Sequence, residues 1–72
     1  MTEKCLVYVK NPIPQYNFNV AMAFKFLGFP HIVKNDCYEV TNHKNSPYFE
    51  KALSRRLLDL NKYGLEIELK FL

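Results

Sequence analysis

Cys5, His31, Cys37 and His43 are the residues of this 72-residue chain that could hold zinc, and their number and types suit a structural site. Their spacing does not. Small zinc domains hold ligands in close pairs on one knuckle, whereas at least five residues separate any two of these, so no metal site is expected. Nucleophilic catalysis needs a Cys or Ser beside a base, a third group that orients the base, and donors for a developing oxyanion. Cys37 and His31, expected to face each other across a hairpin, are the only such pair, and two short strands offer neither pocket nor oxyanion hole. Glu66 and Glu68, two apart, match the outer face of any exposed strand. Gly28 and Gly64 are the only glycines, which excludes a glycine-rich phosphate loop and with it a nucleotide cofactor. The expectation is a protein with no catalytic residues and no cofactor.

Two other groupings remain. Lys51, Arg55, Arg56 and Lys62 fall in one helical stretch and could meet a phosphate backbone or an acidic protein patch; both arginines of the chain are here, side by side. Phe18, Met22 and Phe26 form a row at a spacing of four, extended by Phe29 and Tyr16. A bare aromatic row on a small domain marks a partner site, and the other arrangement open to it is to lie under the Pro12-Ile13-Pro14 loop.

The elements that must carry these residues follow from periodicity. Cys5 to Val9 reads as a strand with Cys5, Val7 and Val9 on one face, ended by Pro12 and Pro14. Asn17 or Asn19 caps a helix that runs to Gly28, with Val20, Ala23, Phe24 and Leu27 inward. His31 to Lys34 and Cys37 to Thr41 form a hairpin about Asn35-Asp36, a pair tolerant of positive φ, with Tyr38 and Val40 buried and Cys37, Glu39 and Thr41 exposed. Ser46-Pro47 opens a second helix reaching about Tyr63, with Phe49, Ala52, Leu53, Leu57 and Leu60 inward and Gly64 as its cap. Leu65, Ile67, Leu69 and Phe71 alternate with charged residues as the last strand. The order β-α-β-β-α-β predicts an α+β, ferredoxin-like two-layer sandwich: a four-stranded antiparallel sheet in order 4-1-3-2 with two helices on one face, one domain over residues 1–72.

Val7-Tyr8-Val9-Lys10-Asn11-Pro12 resembles the first-strand signature of RNA-recognition-motif domains, in which an aromatic on the open sheet face stacks on a base. The resemblance implies Tyr8 as the stacking residue. The companion octet, Lys34 to Thr41, departs from that pattern: it has no glycine, and Asp36 stands at an aromatic position. Three carboxylates, Glu39, Glu66 and Glu68, also fall on the same open face.

Composition bounds the rest. Ten Lys and Arg against seven Asp and Glu give +3, a mild bias spread along the chain that permits a nucleic-acid partner without requiring one. The longest apolar run, Val20 to Phe24, stops at Lys25, so no membrane span is expected and the chain is read as cytoplasmic. Two cysteines are too few for a disulfide framework. Phe, Tyr, Met, Ile, Asn and Lys outnumber Gly, Ala, Arg and Pro by 31 to 11, which points to a low-GC genome, a bacterium or one of its phages. Together these features predict a small non-enzymatic binding or regulatory protein of phage or mobile-element type. It would inhibit a host complex by docking on a protein partner, or pair with itself as a homodimer, through Phe18, Met22, Phe26, Phe29, Arg55 and Arg56. The alternative is an RNA or single-stranded nucleic-acid-binding domain using Tyr8, Lys10, Arg55 and Arg56.

Overall fold

A computed structural model describes residues 3–11 and 13–72. Pro12, expected to close the first strand, lies outside the described residues. The strands are β1 (Lys4–Val9), β2 (His31–Val33), β3 (Tyr38–Thr41) and β4 (Ile67–Phe71), and the helices are α1 (Asn17–Leu27) and α2 (Phe49–Leu58). Short 3₁₀ turns, Pro14–Tyr16 and Asp59–Tyr63, precede α1 and follow α2.

All three strand pairings are antiparallel and the order across the sheet is β2-β3-β1-β4. Read from the β4 edge this is 4-1-3-2. Alternation sorts the strands as a half-wet sheet requires. Cys5, Val7 and Val40 are fully buried on the face under the helices, with Ile67 nearly so, and Val9, Tyr38, Leu69 and Phe71 pack around them. Both helices bury their stripes in that same cluster, Val20, Ala23 and Phe24 from α1 and Phe49, Leu53 and Leu57 from α2.

Four local expectations need correction. Neither Asn17 nor Asn19 caps α1: the 3₁₀ turn, started by Pro14 with its fixed φ, runs straight into the helix, and no side chain bonds the helix N-terminus. The second helix is shorter than Pro47 to Tyr63, because Ser46 is drawn into a loop clamp. The Asn42 carboxamide takes the Ser46 N–H (2.8 Å) and donates to its carbonyl (3.0 Å), and the Ser46 hydroxyl accepts the Tyr48 N–H (3.2 Å). Regular α-helix therefore starts at Phe49, and after Leu58 the chain tightens into 3₁₀. Among the described residues Asn45, not the hairpin pair Asn35-Asp36, is the non-glycine with positive φ, at 52°. Cys37 is buried, not exposed.

Gly28 (φ 79°) and Gly64 (φ 92°) end the two helical segments in the left-handed region, where a side chain would clash with the following carbonyl. Beyond Gly64, Asn11 fastens the end of β1 to the start of β4: its amide donates to the Gly64 carbonyl (2.6 Å) and its carbonyl oxygen accepts the Glu66 N–H.

Candidate interaction surface

The helical layer has an outer side as well as an inner one. α1 is apolar on both, because the core needs only the Val20, Ala23 and Phe24 stripe. The second row is bare: Phe18 and Phe26 are each 71% exposed and Met22 is 40% exposed. Rotation along the helix explains the contrast, since Phe24 and Phe26 are two residues and therefore about 200° apart. Phe29 does not extend this row. After the left-handed turn at Gly28 the chain doubles back, and the Phe29 ring is buried edge-on against Phe49, centroids 4.8 Å apart. Tyr16 is half-buried and stacks on Tyr63 at 5.3 Å, which ties the turn before α1 to the turn after α2.

α2 supplies the other half of the surface. Its buried residues recur at 49, 53 and 57, so Lys51 and Arg55 face away from the core while Arg56 lies on the flank of the buried stripe, and all three are exposed. The Arg56 guanidinium lies over the Phe26 ring, Cζ 4.2 Å from its centroid. This cation–π stack bridges the helices and divides the surface into two shallow grooves. One, of about 580 Å³, runs between Phe26, Leu27, Tyr48, Ala52 and the cations Lys51 and Arg55. The other, of about 340 Å³, lies between Phe18, Met22, Phe26, Leu60 and Tyr63. Asp59 borders both, and its carboxylate is 2.9 Å from Lys62 Nζ.

Comparison with known protein families, with curated proteins and with solved structures finds no match to this chain.

The nucleic-acid set does not converge. Tyr8 and Lys10 are on the open sheet face, one residue out of phase with the buried Val7, while Arg55 and Arg56 stand on the outer side of the helical layer. The whole sandwich separates the two pairs. Two lysines of the open face are also paired with acids, Lys10 with Glu68 (2.5 Å) and Lys34 with Glu39 (3.2 Å). Partial desolvation raises the Tyr8 hydroxyl above its ordinary pKa, and negative charge at Cys37, Asp36 and Glu68 adds to the rise. Asp36 and Glu68 bring to its surroundings the sign that repels a phosphate.

The proposed thiol–imidazole pair does not form either. The register sets His31 opposite Val40, Ile32 opposite Glu39 and Val33 opposite Tyr38, while Lys34 donates its N–H to the Cys37 carbonyl (2.8 Å). Three residue steps at about 3.3 Å each separate His31 from Cys37's level. His31 instead packs its ring against Phe24, centroids 5.0 Å apart. Among the described residues no three His, Cys, Asp or Glu side chains gather as a metal site. Cys5 and Cys37 are both free and buried.

Burial pushes the Cys5 thiol from 9.0 to about 11, partly opposed by a backbone hydrogen bond at Lys70 and aided by Glu50. Desolvation first, then Asp36, raises Cys37 too. A raised thiol pKa has one sign for stability. Below pH 9 the thiol is neutral in both states; between pH 9 and about 11 the unfolded chain releases a proton that folded Cys5 keeps. Stability should fall as pH rises through that window, and Cys5→Ala should flatten part of the fall, read from urea midpoints. An identical pH dependence in wild type and Cys5→Ala would contradict this assignment.

Proposed function

We propose that this protein is a small non-enzymatic binding protein that acts by docking on a macromolecular partner through the outer face of its helical layer. The observation that carries the reading is the bare row Phe18, Met22 and Phe26. A 72-residue chain with little apolar surface to spare leaves two phenylalanines 71% exposed on one helix. Exposed aromatic patches of this kind are where partner contacts concentrate. The scaffold is read as ferredoxin-like, a split β-α-β arrangement that leaves one helical face free for contacts. Occlusion of a host complex, in the manner of a phage-borne inhibitor, is the mode of action proposed for this docking face.

The test is capture from a lysate of low-GC bacteria, with the wild-type protein and with a Met22→Ser, Phe26→Ser variant as bait. A protein retained by the wild type and lost by the variant, with unchanged circular dichroism, is the expected outcome. Equal capture by both, or a variant that unfolds, would remove the reading, since unfolding would place these residues in the core.

A further inference from the structure

The charge on the larger groove says more about its occupant, taking the docking reading above as given. Lys51, Arg55 and Arg56 all border it. The acid on its rim, Asp59, is already paired with Lys62 at 2.9 Å. Two lysines of the open sheet face, Lys10 and Lys34, differ in each having a carboxylate within 3.2 Å. Among the described residues no carboxylate forms an ion pair with these three cations, so positive charge is gathered beside apolar walls, those of Phe26, Leu27, Tyr48 and Ala52.

Three occupants can be weighed. A second copy of this chain joined about a two-fold axis would set the same patch against itself, cations facing cations. A nucleic-acid backbone needs cations tracking several phosphates, whereas residues 51 to 56 of one helix span about 7.5 Å, the reach of one or two anionic groups. A short peptide segment satisfies both halves of the groove. A large apolar side chain fills the trough, and flanking carboxylates reach the guanidinium forks, which bind planar carboxylates bidentately.

We propose that the groove between the C-terminal end of α1 and the outer side of α2 binds a short acidic segment of a partner protein. A Leu or aromatic side chain sits against Phe26, Leu27 and Tyr48, and neighbouring Asp or Glu residues pair with Lys51, Arg55 and Arg56. The Arg56–Phe26 stack holds one cation in place before the segment arrives, so less side-chain freedom is lost on binding.

Selection of random peptides displayed on phage against the full folded chain tests this directly. Enriched peptides should combine a Leu or aromatic residue with two or more adjacent acids. As synthetic peptides they should bind the wild type and lose roughly tenfold to a hundredfold in affinity against Arg55→Glu, Arg56→Glu, with a smaller loss against Arg55→Gln, Arg56→Gln. Circular dichroism of these variants should match the wild type. Enriched peptides without acids that are nevertheless lost in Phe26→Ser would overturn the acidic assignment and leave the docking surface standing. Peptides indifferent to both sets of variants, or no enrichment at all, would overturn both. Binding of a uridine-rich oligoribonucleotide that Arg55→Glu, Arg56→Glu abolishes, without acidic peptides, would assign the groove to nucleic acid instead.

Discussion

Phe24→Ala should abolish the cooperative unfolding transition of this protein at 25 °C. The Phe24 ring is fully buried, tilted against His31 (5.0 Å) and Tyr38 (5.5 Å), and so joins α1 to both strands of the hairpin. Truncating a buried phenylalanine costs about 3–5 kcal/mol through lost transfer free energy and the cavity left behind. A domain of this size has a total stability of roughly 4–10 kcal/mol, and chains this short tend to the lower end. Neighbours cannot refill the space cheaply, because Val20 and Ala23 are short and Tyr38 is held in β3. Far-UV circular dichroism through a urea titration checks this, and a Phe24→Ala midpoint close to that of the wild type would show that α1 is not anchored as described.

The second large effect lies two residues away on the same helix and has the opposite character. Met22→Ser, Phe26→Ser should leave the unfolding free energy from a urea titration within about 0.5 kcal/mol of the wild type, as surface substitutions do. It should remove partner binding, with a loss of at least about 2 kcal/mol, the scale of an interface hot spot. The contrast rests on burial: Phe24 is inaccessible and Phe26 is 71% exposed. Phe26 matters further because it carries the Arg56 guanidinium, so its removal frees that cation as well. Titration calorimetry with the captured partner reads the binding loss; retained affinity would move the contact surface elsewhere.

Several of these features are legible in the sequence, for identifiable reasons. The alternation of Cys5, Val7 and Val9, and of Leu65, Ile67, Leu69 and Phe71, shows which face is buried, because a period of two has only two answers. Gly28 and Gly64 mark helix ends because the chain turns left-handed at both. The two rows of α1 are visible as rows, but their exposure depends on whether a loop covers them.

What escaped depends on contacts distant in sequence, with one exception. Phe29 looks like part of the bare row until the turn at Gly28 sends it back onto Phe49. The start of α2 is set by Asn42 clamping Ser46, a contact formed only once β3 is in place. The separation of Tyr8 and Lys10 from Arg55 and Arg56 follows from the layering of the sandwich. The exception is His31 and Cys37. With the turn at Asn35-Asp36, counting outward pairs Lys34 with Cys37 and His31 with Val40, so the register was available from the turn alone.

The claim on which the rest depends is that contact with a partner is made by the outer helical side and not by the open sheet face. Amide hydrogen exchange of the protein, free and bound to its captured partner, measures this at peptide resolution. The account predicts added protection over residues 18–27 of α1 and 49–59 around α2, with β1 and β3 unchanged. Protection confined to β1 and β3, with the helices unaltered, would contradict it.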